Sequence, residues 1–246
     1  MYKFLEKLTK RNKDLLGNPP ATLASIGDSV TQGCFELLPV GNDEFKAVTK
    51  PRSSYQAKLQ KILQTICPDA QLNMINAGIN GDSTSYGLER LQRDVLNFSP
   101  DLVTVSYGLN DCHGGEAGIE LYASNLGKMF DMCLESGAEI IFMTQNYMNT
   151  YVKYDKDYVT YIPSLCDGEE RTAQIQNSGL LKRYYDAAKA ECAKRNIAVC
   201  DCYDLWDKMY KNGVDVTSLL INNINHPTED MHWLFAYELF RTIING

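Results

Sequence analysis

Five short apolar runs rich in β-branched residues punctuate the chain, at 22–26, 71–76, 102–107, 139–144 and 197–202. Between them, apolar residues recur at helical spacing. Tyr55, Leu59, Ile62, Leu63 and Ile66 form one stripe, and Leu126, Met129, Phe130 and Cys133 a second. Leu180, Leu181, Tyr184, Ala187 and Ala188 form a third. Strand-like runs alternating with helical stripes predict βαβ units, hence a parallel sheet with helices on both faces. A last helix is expected over about 228–244, with Met231, Leu234, Leu239 and Ile243 on its core side. Residues 1–18 interleave charges with apolar positions and read as a surface helix. The pattern predicts an α/β fold in one domain over 1–246: a three-layer α/β/α sandwich on a mainly parallel, five-stranded sheet.

Such a sheet places its ligand site beyond the carboxyl ends of its strands, so the residues just after each run become the candidates. Two connections are longer than the topology needs. One is 34–51, after the first run. The other is 147–178, after the fourth, and it holds Tyr147, Tyr151, Tyr154, Tyr158 and Tyr161. Both leave from the carboxyl edge, where each reads either as a lid or pocket wall or as an ordinary packed insertion.

Composition narrows the function classes. With 44% hydrophobic and 22% charged residues the chain can build a core, which excludes wholesale disorder. The 24 basic against 31 acidic residues leave a net charge of −7. That balance argues against a nucleic-acid or anionic-membrane partner, since both demand a basic face. No apolar run approaches the roughly 20 residues of a membrane helix. The first residues lack the uninterrupted apolar core of a signal peptide, so a cytoplasmic location is the expectation. Its eight cysteines are then expected as free thiols. No C-x-x-C pair occurs, and Cys200 and Cys202 stand too close to chelate like a zinc knuckle. Neither a metal nor an organic cofactor is expected.

The histidines restrict the chemistry further. His113, His226 and His232 are the only three, so any histidine-based acid–base mechanism must use one of them. Ser29 closes Gly27-Asp28-Ser29 directly after the first run, where a small-residue turn can expose a hydroxyl. The same turn also reads as a plain helix cap. A second copy, Gly81-Asp82-Ser83, follows the second run, and Gly108-Leu109-Asn110-Asp111 follows the third. His226 stands in a loop before the last helix. The Gly-x-Ser-x-Gly elbow of α/β-hydrolases is absent.

Taken together, these blocks resemble the SGNH hydrolases, the GDSL family of esterases and lipases, over about residues 20–245. The resemblance implies that family's flavodoxin-like fold. It implies Ser29 as nucleophile, His226 as base, and an oxyanion hole made by the N–H groups of Ser29 and Gly81 with the Asn110 amide. It assigns the second Gly-Asp-Ser to the oxyanion hole, so Ser83 is not the nucleophile. The family's last block reads Asp-x-x-His, whereas here Asn223 precedes His226. The expectation is a Ser29–His226 dyad with a neutral orienting partner, either Asn223 or a backbone carbonyl. Asp28, a turn and cap residue, is carried with His113 and Tyr147 as a candidate substrate contact. Arg90 is expected to anchor its helix through a carboxylate, Asp111 to fix the oxyanion loop, and His232 to be structural.

The chemistry is intelligible on its own terms. A serine hydroxyl attacks a carbonyl only when a base takes its proton. Donors aimed at the developing oxyanion then supply about 3 kcal/mol each. The expected function is hydrolysis of a small carboxylic ester, of acetyl or short-chain type. The tyrosines of 147–178 tilt the substrate toward O-acetylated carbohydrate. Three alternatives stay open: a lysophospholipase or thioesterase, a weakened scaffold that only binds a glycan or acyl ligand, and transfer of the acyl group to an alcohol acceptor.

Overall fold

In a computed structural model, residues 2–41, 44–153 and 163–246 are described. Five strands form the central sheet: β1 (Ala21–Gly27), β4 (Leu72–Gly78), β5 (Leu102–Ser106), β6 (Glu139–Thr144) and β7 (Ala198–Asp201). Their order is β4-β1-β5-β6-β7, and every neighbouring pair is parallel. This is the flavodoxin-like order, in which the chain reverses direction across the sheet beside β1. The interior strands β1 and β5 are buried along almost their whole length, as a sheet covered on both faces requires.

The helices are α1 (Lys3–Lys13), α2 (Ser29–Gln32), α3 (Tyr55–Ile66), α4 (Thr84–Asp94), α5 (Ile119–Glu135), α6 (Pro163–Asn177), α7 (Leu180–Lys194), α8 (Cys202–Lys211) and α9 (His232–Asn245). The β1–β4 crossover runs one way and the later crossovers the other, so right-handed connections put α3 opposite α4, α5 and α7. The contacts agree: α3 packs on α9, while α5 packs on both α4 and α7. Leu59, Leu63, Leu126, Phe130, Leu181 and Tyr184, all taken from the predicted stripes, are buried in one core.

The 34–51 connection is not a loop. It folds as an antiparallel hairpin of β2 (Cys34–Gly41) and β3 (Glu44–Thr49) standing beside the main sheet. Of the 147–178 connection, residues 147–149 are buried and 163–177 form α6. Tyr154, Tyr158 and Tyr161 lie outside the described residues. No described helix is long and apolar enough to cross a membrane.

Candidate active site

Strand register brings the candidate blocks to one edge. Gly27, at the end of β1, is paired with Gly78 of β4 on one side and Ser106 of β5 on the other. Ser29, Gly81 and Asn110 therefore follow three aligned strand ends by two, three and four residues. Gly78 is required by close approach: a Cβ there would lie 2.2 Å from the Gln32 backbone nitrogen. Only glycine lets α2 sit directly on the end of β4.

Ser29 opens α2 and is 3% exposed. Its Oγ lies 2.9 Å from Nε2 of the buried His226, and Nδ1 of that ring lies 3.2 Å from the Phe35 carbonyl oxygen. A carbonyl can only accept, so Nδ1 carries the proton. Nε2 is left with a free lone pair, to which the Ser29 hydroxyl donates. The tautomer that a base needs is thus set with no carboxylate bonded to the ring among the described residues. Burial pushes the imidazole down to about 4, with the Phe35 hydrogen bond pulling it back up. At neutral pH the ring is uncharged.

Of the two orienting partners expected, the backbone carbonyl is the one found at the ring; Asn223 is not. Its φ of 56° puts it in a left-handed turn, and none of its hydrogen bonds among the described residues reaches the ring. The turn is instead built on Asn222, whose Oδ1 accepts from the N–H groups of Ile224, Asn225 and His226. On the β6 side, Asn146 donates to the Asn225 carbonyl and Asn149 N–H to that of Ile224. Replacing Asn223 by aspartate should accordingly move the acidic limb of a pH–rate profile by less than about 0.5 pH unit. A rise of a full unit or more would place residue 223 against the ring.

Gly81 has a φ of 77°, and a Cβ on it would meet nothing within 4 Å. Among the described residues, the N–H groups of Ser29 and Gly81 enter no turn or loop hydrogen bond, whereas those of Asn80 and Asp82 do. The Asn110 amide gives one hydrogen to the Asp82 carbonyl at 2.7 Å, leaving its second N–H for another acceptor. Asp111 braces the same loop from below, its Oδ1 accepting from both the N–H and the hydroxyl of Thr84. Burial raises its carboxyl above the ordinary range.

A buried ion pair fixes the Gly81 turn. Arg90 donates to Asp82, to the carbonyls of Ala77 and Gly27, and to the Tyr107 hydroxyl, which itself donates to Asp82 at 2.8 Å. One guanidinium so ties the ends of β4, β1 and β5 together. The expected carboxylate anchor is present, and it holds the strand ends as well as its own helix through Asp94. Arg90→Met should destabilise the fold by about 3–5 kcal/mol, because it strands Asp82 as a buried, unpaired charge. Denaturant unfolding checks this; a loss below ~1 kcal/mol would contradict it.

Two candidate substrate contacts are not at an open surface. Asp28 is fully buried: it caps Val30 N–H at 3.0 Å, and both its carboxylate oxygens accept from the Gln145 amide nitrogen, at 2.8 and 3.0 Å. Burial pushes its carboxyl up to about 7, against the pull of those donors. Tyr147 turns its hydroxyl to Asp207 in a separate cavity near β7. His113 stays at the edge, partly buried, its carbonyl accepting from Arg171. Burial and the Arg171 charge lower its pKa. His232 is wholly buried between Phe35, Tyr55 and Phe235, with both ring nitrogens unpaired, and burial takes it down to about 3.

Gln145 and Phe35 escape the sequence reading. Gln145 stands one residue past β6 and also accepts from Leu109 N–H at 3.3 Å, so it joins the Ser29 turn to the Asn110 loop. Its place at a strand end was the available signal. Among the described residues no cluster of histidine, cysteine and carboxylate side chains could hold a metal ion, and the seven described cysteines are free and buried.

Comparison with known proteins places the chain in a family. An arylesterase of Vibrio mimicus is 32% identical over 127 residues, covering 48% of this chain and 62% of that protein. An acetylxylan esterase of Geobacillus stearothermophilus is 33% identical over 89 residues, covering 36% of this chain and 39% of the relative. The alignments thus span less than two thirds of either curated relative. Solved structures share the fold. An acetylxylan esterase from G. stearothermophilus superposes with a TM-score of 0.66 at 19% identity, over 91% of this chain and 94% of the other. A lipase/acylhydrolase from Enterococcus faecalis gives 0.64 at 21%, over 92% and 96%. Residues 25–234 match the GDSL-like lipase/acylhydrolase family, and the chain belongs to it.

Proposed function

We propose that the protein is a serine esterase that hydrolyses a carboxylic ester through an acyl-enzyme on Ser29. The observation that carries this reading is the 2.9 Å contact between Ser29 Oγ and His226 Nε2, with Nδ1 engaged by the Phe35 carbonyl. In the attack, Oγ forms a bond to the acyl carbon while its proton passes to Nε2. The former carbonyl oxygen takes the negative charge, toward the free N–H groups of Ser29 and Gly81 and the Asn110 amide. Collapse breaks the bond to the alkoxide, which takes the proton back from His226. A water then repeats the sequence on the acyl-enzyme, releasing the acid and restoring Ser29.

The missing carboxylate has a cost and a benefit here. A ring held near 4 is a weaker base than an ordinary histidine, but it stays unprotonated over a wide pH range. The substrate class is a short-chain acyl ester, in keeping with the arylesterase and acetylxylan esterase among the relatives. Hydrolysis of p-nitrophenyl acetate tests the reaction: turnover that disappears in Ser29→Ala is expected, and none in the wild type would refute it. Asn110→Ala should lower kcat by about 10²–10³ with little change in KM. A change in KM alone would make Asn110 a substrate-recognition residue.

A further inference from the structure

The carboxyl ends of β6 and β7 carry a second feature that ester chemistry does not use. Tyr147, Tyr203 and Tyr210 pack as tilted rings in a cluster, with ring centroids 4.7 Å apart for the first two and 5.8 Å for Tyr147 and Tyr210. Two hollows adjoin there. One of about 280 Å³ lies between these rings, Gln176, Asn177 and Lys211, and one of about 360 Å³ lies between Tyr151, Tyr210 and Val214. Thr150 and Tyr210 line both, so Tyr210 forms the ridge between two neighbouring halves of one groove.

The lining selects the kind of ligand. Tyr210 is 47% exposed and Tyr151 43%, which leaves ring surface free on either side of the second hollow. Tyr151 is held in place, its hydroxyl donating to Asp215 at 2.8 Å. The first hollow's two cations are neutralised, Lys182 by Asp186 and Lys211 by Asp207, so the groove has no charge to offer an anion. Its aliphatic surface is confined to Val214 and Val216, too little for an acyl chain. Anchored aromatic faces beside amides and carboxylates suit a neutral polyol, whose C–H face stacks while its hydroxyls bond to the rim.

The groove's lining is also tied to the His226 loop through the main chain. Thr150 directly follows Asn149, whose N–H bonds to the His226 loop at Ile224. Three strand spacings separate β1 from β7, or about 14 Å. We propose that this groove is a saccharide subsite, holding a neutral oligosaccharide against Tyr210 and Tyr151 while an acyl group elsewhere on the same chain reaches Ser29. The second half of this proposal rests on the esterase reading. The first half does not.

Unacetylated xylohexaose, cellohexaose and mannohexaose, titrated calorimetrically into the full chain, test the groove without any turnover. At least one should bind, and Tyr210→Ala and Tyr151→Ala should each weaken it by roughly tenfold. Both variants should keep kcat/KM for p-nitrophenyl acetate within about twofold of wild type, since neither residue touches the Ser29 site. On an acetylated hexasaccharide the same variants should raise KM and leave kcat in place. No binding of any of the three sugars up to about 20 mM, or binding indifferent to both substitutions, would overturn the proposal. So would a loss of p-nitrophenyl octanoate hydrolysis in Tyr210→Ala without sugar binding, which would mark an acyl channel. Sugar binding through Tyr210 in a protein inert toward every ester would sink the esterase reading and leave the groove standing.

Discussion

Ser29→Ala is expected to cut turnover of an activated acetate ester by about 10⁴–10⁶, with a thermal midpoint within a few degrees of wild type. The side chain makes one hydrogen bond, to His226, so its removal should cost on the order of 1 kcal/mol of stability while abolishing covalent chemistry. Ser83→Ala is the matched control. Ser83 belongs to the second Gly-Asp-Ser, at the cap position of α4, where its N–H is held by Asp82 and, among the described residues, no imidazole is hydrogen-bonded to it. Its loss should cost no more than severalfold in rate. Equal losses in the two variants would mean that the two turns have been assigned the wrong roles.

His226→Ala should produce the second-largest loss, about 10⁴ or more in kcat, and should erase the acidic limb of the pH–rate profile. In the wild type that limb should lie near 4, well below the ordinary histidine value of 6.5, because only the neutral ring accepts the Ser29 proton. Activity should therefore be flat from about pH 5.5 to 8. Stability follows the same group in a defined window. A folded-state pKa below the unfolded one means that the unfolded chain binds more protons between 6.5 and 4. The contribution of this ring to stability is thus complete above 6.5 and declines as the pH falls through that interval. His232, held near 3, extends the decline to lower pH. Initial rates and thermal midpoints measured on the same pH series separate loss of the base from loss of the fold. A limb at 6.5 or above would show that the ring is solvated or paired with a carboxylate.

The interior strands were legible because they are buried on both faces and so appear as near-continuous runs of apolar and small residues, whereas the edge strands β4 and β7 are only partly buried. The run at 139–144 coincides with β6, and the others lie within one or two residues of β1, β4, β5 and β7. The β2–β3 hairpin was not legible, since Pro39 interrupts a run that would otherwise read as a strand. Side-chain chemistry explains which parts of the site could be read. Ser29, Gly81, Asn110 and His226 are distinctive residue types at strand ends and in a loop, so a pattern of types can find them. The partner of His226 is a main-chain carbonyl, a group that every residue carries, and it comes from Phe35, 191 positions away. No residue type marks it. Asp28 shows the converse: a carboxylate beside the nucleophile suggests contact with substrate, yet Gln145 closes over it.

The central claim is that Ser29, activated by His226, is the nucleophile. Labelling the native protein with a fluorophosphonate and mapping the adduct by peptide mass spectrometry tests it most directly. A single adduct on the peptide containing Ser29, lost in Ser29→Ala and strongly slowed in His226→Ala, is the predicted result. An adduct on Ser83, or no adduct on a folded protein that still hydrolyses p-nitrophenyl acetate, would contradict it.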